Sequence, residues 1–100
     1  MSGRYRIQIL DRARREFAID IAWWRVNRPA APHAIREELA KARDLLARNP
    51  EAGPAAEDHP GIRRLLLARV SYHLYYRVNR AARQIEIVAF WHTRRGPPAL

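Results

Sequence analysis

Three β-type runs follow one another between residues 62 and 91, each rich in β-branched, aliphatic or aromatic residues. Two helical segments and one short strand precede them. Residues 4–10 alternate, with Tyr5, Ile7 and Ile9 on one side and Arg4, Arg6 and Gln8 on the other, which is the period of a half-buried strand. In residues 11–27, Ala13, Phe17, Ile21 and Trp24 fall at helical spacing and form one apolar stripe. Asp11 stands where an N-cap is expected, and Trp23 lies beside the stripe, half exposed. Residues 33–48 repeat the pattern with Ile35, Leu39, Ala42 and Leu46, leaving Arg36, Glu37, Lys41, Arg43 and Asp44 as the wet face. Between them Pro29 and Pro32 end the first helix, because proline cannot continue it. The short break lets the chain reverse into an αα-hairpin. The predicted fold class is therefore α+β: an N-terminal strand, an αα-hairpin, then a three-stranded antiparallel meander, in the order β-α-α-β-β-β.

One hundred residues bound the chain to a single small domain, 1–100, with 48% hydrophobic content that argues for a packed core. There is no cysteine, so disulfides and thiolate metal sites are excluded. No window reaches the roughly 18 apolar residues of a membrane span. Met1-Ser2-Gly3-Arg4-Tyr5 leads into the first strand without a signal-peptide apolar stretch. The expectation is a complete, cytoplasmic chain with no membrane contact. The balance of 19 Lys+Arg against 10 Asp+Glu gives a formal charge of +9, and only Lys41 is a lysine. Arginine binds carboxylate and phosphate in a fork, so acidic partners and polyanions both fit.

Residues 49–61 carry Pro50, Gly53, Pro54, Pro60 and Gly61, a loop long enough for a compact domain to imply contact or mobility. The strands are placed at residues 62–70, 72–78 and 84–91, with residues 79–83 as a turn. Strict alternation puts Tyr72, Leu74, Tyr76, Val78, Ile85, Ile87, Ala89 and Trp91 toward the helices. His73, Tyr75, Arg77, Glu86, Val88, Phe90 and His92 then share the open face. The second strand has apolar residues on both sides, with Leu65 and Leu67 alternating against Leu66 and Ala68. That pattern implies a covered open face.

In this order of elements the chain resembles the RelE/ParE superfamily, toxins of bacterial type II toxin–antitoxin modules. The resemblance is carried by Arg63-Arg64-Leu65-Leu66-Leu67 followed by Tyr72-His73-Leu74-Tyr75-Tyr76-Arg77-Val78. It extends to Ile85-Glu86-Ile87-Val88-Ala89-Phe90-Trp91-His92-Thr93-Arg94, and to Asn49-Pro50-Glu51-Ala52-Gly53 at the end of the second helix. It covers nearly the whole chain. It implies a compact toxin neutralised by a cognate antitoxin with an acidic, extended C-terminal segment, the two forming a hetero-oligomer. Operator DNA is expected to be met only through the antitoxin. The ParE-like branch acts on DNA gyrase. The RelE-like branch cleaves mRNA on the ribosome with a metal-free acid/base set. His73 stands where RelE-like chains carry an arginine, and no tyrosine follows Arg95, so the ParE-like branch is favoured.

Two readings of the site stay open at this point. As a contact surface for antitoxin or target, the expected residues are Arg63, Leu65, Leu67 and Arg69 on the second strand. His73, Tyr75 and Arg77 follow on the third, then Val88, Phe90, His92, Arg94 and Arg95 at the end of the fourth. As a nuclease, His73, Arg77, His92 and Arg94 would supply base, acid and phosphorane stabilisation. The ordinary reading of each is a solvated polar strand end, and the catalytic role is not favoured. His33 and His59 share no metal-ligand spacing with the other histidines, so no metal and no cofactor are expected.

Overall fold

The computed structural model describes residues 4–100; residues 1–3, where the reading of an absent leader begins, lie outside the described residues. The chain runs β1 (Arg6–Ile9), α1 (Asp11–Asn27), α2 (Ala34–Arg48), β2 (Arg63–Leu67), β3 (Tyr72–Asn79) and β4 (Gln84–His92). One sheet holds all four strands in the order β1-β4-β3-β2. β1 pairs parallel to β4, while β2, β3 and β4 form the antiparallel meander. This is the expected α+β layout, with the two helices on one face of the sheet.

Both helical stripes face that sheet. Ala13, Phe17, Ile35, Ala42 and Leu46 are buried, and Ile21, Trp24 and Leu39 pack against them. The start of α1 differs from expectation. Leu10 occupies the cap position without a side-chain cap bond, and Asp11 lies inside the first turn. There its charge favours the positive end of the helix dipole instead.

β2 is shorter than the apolar run that predicts it. Ser71 takes a positive φ of 61°, and the Val70 and Ser71 N–H groups turn back to the Leu67 carbonyl. Residues 68–71 are therefore a turn. The β3–β4 hairpin closes similarly, with Arg83 at φ 52° and the Asn79 side chain accepting from the Ala82 N–H.

The main departure lies in β4. Tyr75 pairs with Ala89 but Tyr76 pairs with Ile87, so Val88 is an extra residue, a β-bulge. Beyond it the alternation changes face. Phe90 is 1% exposed and sits in the helix-side core, stacked on Phe17 at 4.1 Å and on Tyr72 at 4.2 Å. Ala89 and Trp91 move to the open face, where they join Tyr75 and Val88. The expectation of Phe90 on the open face and of Ala89 and Trp91 in the helix-packed core is thus corrected.

A second correction concerns β2. Leu65 pairs with Leu74, Leu67 with Tyr72 and Arg63 with Tyr76. All three residues therefore face the helix side, and Leu67 is buried in the main core. The open face of β2 carries Arg64 and Leu66 instead.

Candidate functional site

The open face is covered in part by the chain itself. Tyr75 and Ala89 are buried there against Ala56, with Ile62, Val88 and Trp91 around them. The loop after α2 is fastened to β2 by Arg64 N–H to the Pro54 carbonyl, 2.9 Å, and by Ala56 N–H to the Ile62 carbonyl, 2.8 Å. The apolar residues on the open face of β3 and β4 are thus covered without an external partner. On the helix side the same loop is pinned by Tyr76. Its hydroxyl donates to the Pro50 carbonyl at 2.8 Å and accepts from the Gly53 N–H at 2.9 Å.

The C-terminal residues fold back over Trp91. The Arg95 guanidinium lies 3.6 Å from the Trp91 ring centroid, and the indole N–H donates to the Gly96 carbonyl at 2.6 Å. Pro98 is buried, and Arg12 reaches the Ala99 carbonyl. Between this tail and the loop lies a cleft of about 360 Å³. Arg64, His73, Tyr75, Trp91 and Arg95 line it, with Glu57, Asp58 and His59 at the loop side.

His73 is the one histidine on β3, and burial, with the nearby Arg64 guanidinium, holds its pKa below the ordinary 6.5. The neutral ring is favoured in the folded chain. The unfolded chain therefore binds the extra proton first, and this group's contribution to stability is lost as pH falls below 6.5 through the lowered value. The expected result of an NMR titration is a His73 midpoint below the ordinary value. In Arg64→Gln the midpoint rises part of the way only, since burial is the larger cause. A midpoint at the ordinary value would show that the ring is not enclosed in the cleft.

The other predicted site residues are dispersed. Arg77 pairs with Glu86 across the β3–β4 ladder. Arg69 holds Glu37 at 2.8 Å and Glu38 at 3.3 Å on α2, which lowers the Glu37 pKa through the hydrogen bond. Arg63 donates to the Gly53 carbonyl at 2.8 Å. His92 follows Phe90 after the bulge and meets the Tyr72 ring edge-on at 5.0 Å. Its Nδ1 accepts the Arg94 backbone N–H at 3.1 Å. The four residues assigned to a nuclease are therefore not gathered: His73 and His92 share a cleft rim, and Arg77 and Arg94 do not line that cleft. Among the described residues no three His, Cys, Asp or Glu side chains are grouped to hold a metal ion. No helix among them is long and apolar enough to cross a membrane.

Sequence reasoning missed Arg64, because β2 is apolar on both sides and its facing is set only by pairing with β3. It also missed Glu16. Where β1 ends, the Phe90 N–H lacks a strand partner, and the Glu16 carboxylate accepts it at 2.8 Å. The run Val88-Ala89-Phe90-Trp91 does not alternate, which agrees with the bulge, but only the pairing with β3 locates it.

Comparison with known proteins follows the fold. The family model described as the ParE toxin of the type II toxin–antitoxin system, parDE, matches residues 7–97. No curated protein matches the chain in sequence. The chromosomal ParDE system of P. aeruginosa includes a chain that superposes with a TM-score of 0.77 at 19% identity, covering 93% of this chain and 100% of that one. A RelBE toxin–antitoxin complex of Mycobacterium tuberculosis gives 0.61 at 22% identity, covering 92% and 94%. The isolated RelE toxin of E. coli gives 0.56 at 18% identity, covering 92% and 87%.

Proposed function

The chain belongs to the ParE toxin family of type II toxin–antitoxin systems, and from that premise we propose that it arrests growth by binding DNA gyrase. A cognate antitoxin holds it inactive in the cytoplasm. The observation that carries this reading over RNA cleavage is that the four residues expected of a nuclease, His73, Arg77, His92 and Arg94, do not line one cleft. A metal-free nuclease needs acid, base and cation within reach of one phosphate. Here Arg77 is neutralised by Glu86 on the sheet, and His92 is turned to Tyr72. A contact surface needs no such convergence.

The antitoxin has two surfaces to cover. On α1, Ile19 is 68% exposed, Trp23 47% and Val26 79%. Their spacing places them on one exposed helical stripe, with Trp23 touched by Trp24 and by the Arg28 guanidinium. On β2, Leu66 is 53% exposed beside Arg64. Apolar contacts to these, with a carboxylate on Arg64, describe an amphipathic acidic segment. Of the residues predicted for this role, His73, Tyr75, Val88 and Arg95 remain beside the open face or its rim, while Arg94 lines the cleft on the helix side. Leu65, Leu67 and Phe90 are withdrawn to the core side.

The test is induction of the chain alone in cells. A DNA-damage response with transcripts intact supports the gyrase reading. Codon-positioned transcript cleavage contradicts it.

A further inference from the structure

A second cleft, of about 610 Å³, opens on the helix side of the sheet's end. Its walls come from four places: the last turns of α1, the residues after α1, the β2–β3 turn and the end of β4. Its volume lies within the range of small-molecule sites. Arg28, Arg94, Arg95 and His92 line it, together with Trp23 and Tyr72.

Three guanidiniums without an ion-pair partner among the described residues line this one cleft. Several guanidiniums elsewhere are answered by carboxylates: Arg4 and Arg48 by Asp44, Arg12 by Glu16, Arg77 by Glu86 and Arg80 by Glu51. Arg69, at the cleft's edge, is held by Glu37 and Glu38. Among the described residues Arg28, Arg94 and Arg95 have no carboxylate within ion-pair distance. The single acid lining the cleft, Asp20, is hydrogen-bonded to the Tyr72 hydroxyl, and burial raises its pKa. Three like charges gathered in one concavity raise each other's energy, and a bound anion relieves that repulsion.

The cleft also has a fixed aromatic wall. Trp24 is anchored by its indole N–H to the Ala31 carbonyl at 2.9 Å. Trp23 stands against it at 6.2 Å, and the Arg28 guanidinium lies 5.1 Å from the Trp23 ring centroid and 5.6 Å from that of Trp24. A half-exposed indole beside clustered guanidiniums offers a surface for a planar base with cations for its phosphate. An acidic peptide would be served better by cations spread along a strand or helix. Here they converge on one pocket, as a compact polyanion requires.

We infer that this cleft binds a nucleotide, its phosphates between Arg28, Arg94 and Arg95 and its base against Trp23. The ligand is either a free nucleoside triphosphate or a nucleotide within a single strand. This holds whichever target the toxin acts on.

The test is calorimetric titration of the full chain at physiological salt with ATP, with an eight-residue thymidine strand and with a polyglutamate peptide. ATP or the strand is expected to saturate one site per chain. Binding of ATP alone identifies a free nucleotide, and binding of the strand alone identifies nucleic acid. The double variant Arg28→Gln/Arg94→Gln is expected to weaken that binding at least tenfold. Arg15→Gln, an exposed α1 charge outside the cleft, is expected to leave it unchanged. Trp23→Ala is expected to weaken ATP more than inorganic triphosphate. Circular dichroism confirms that each variant is folded. Equal losses in Arg15→Gln and the double variant would reduce the effect to net charge and overturn the site. So would absence of nucleotide binding, or polyglutamate binding more tightly through the same arginines.

Discussion

Phe90→Ala is expected to destabilise the domain by about 3–5 kcal/mol, the range for removing a buried aromatic ring. The ring is enclosed between Phe17 and Tyr72, and α1 packs over it, so the space left behind has walls that cannot easily collapse. Trp91→Ala is expected to cost less. Trp91 is only partly buried, and what it loses is the Arg95 stack and the bond to Gly96. Chemical denaturation of the two variants checks the order. A larger loss for Trp91→Ala would mean that alternation runs unbroken through Val88 and that the bulge is absent.

Gly53→Ala is expected to be the second large effect. A Cβ there would stand 3.0 Å from the backbone C and O of Arg64 and 3.0 Å from the Tyr76 ring. Two of those atoms are backbone and the third belongs to a fully buried side chain, so none can yield freely. The loop cannot shift either, since the Gly53 N–H donates to the Tyr76 hydroxyl and its carbonyl accepts from Arg63. Overpacking of this kind costs about 1–3 kcal/mol. In a domain of this size each kcal/mol moves the melting point by about 4–8 °C. A thermal melt checks it; an unchanged Tm would show that the loop does not rest on β2 and Tyr76 as described.

These two positions mark where sequence reading succeeds and where it stops. The order of elements is legible because each boundary has a local cause: Pro29 and Pro32 after α1, Pro50 and Gly53 after α2, and period-two runs in the last third. The helical stripes are legible because Ala13, Phe17, Ile35 and Leu46 repeat at 3.6. Facing within the sheet is not local. One inserted residue at Val88 moves Phe90 into the core and Trp91 out of it, and no propensity records that shift. The same holds for β2, where Leu65 and Leu66 are chemically alike and only pairing with Leu74 and His73 separates them.

The candidate site inherits both limits. His73 and Arg95 were legible as polar residues at strand ends or on a strand's open side. Arg64 became visible only once register was known. The chain's own cover over Tyr75 and Ala89 was hidden because it comes from a loop more than ten residues away. An apolar open face therefore reads from sequence as a partner's surface. The structure moves the exposed apolar area to Ile19, Trp23 and Val26 on α1.

The most direct measurement of the central claim is a supercoiling assay with purified gyrase, ATP, relaxed plasmid and the purified chain. The account predicts that the chain blocks supercoiling in proportion to its concentration, while ribosome-bound mRNA incubated with it stays whole. Full supercoiling at saturating chain, with mRNA cut on the ribosome, would contradict it.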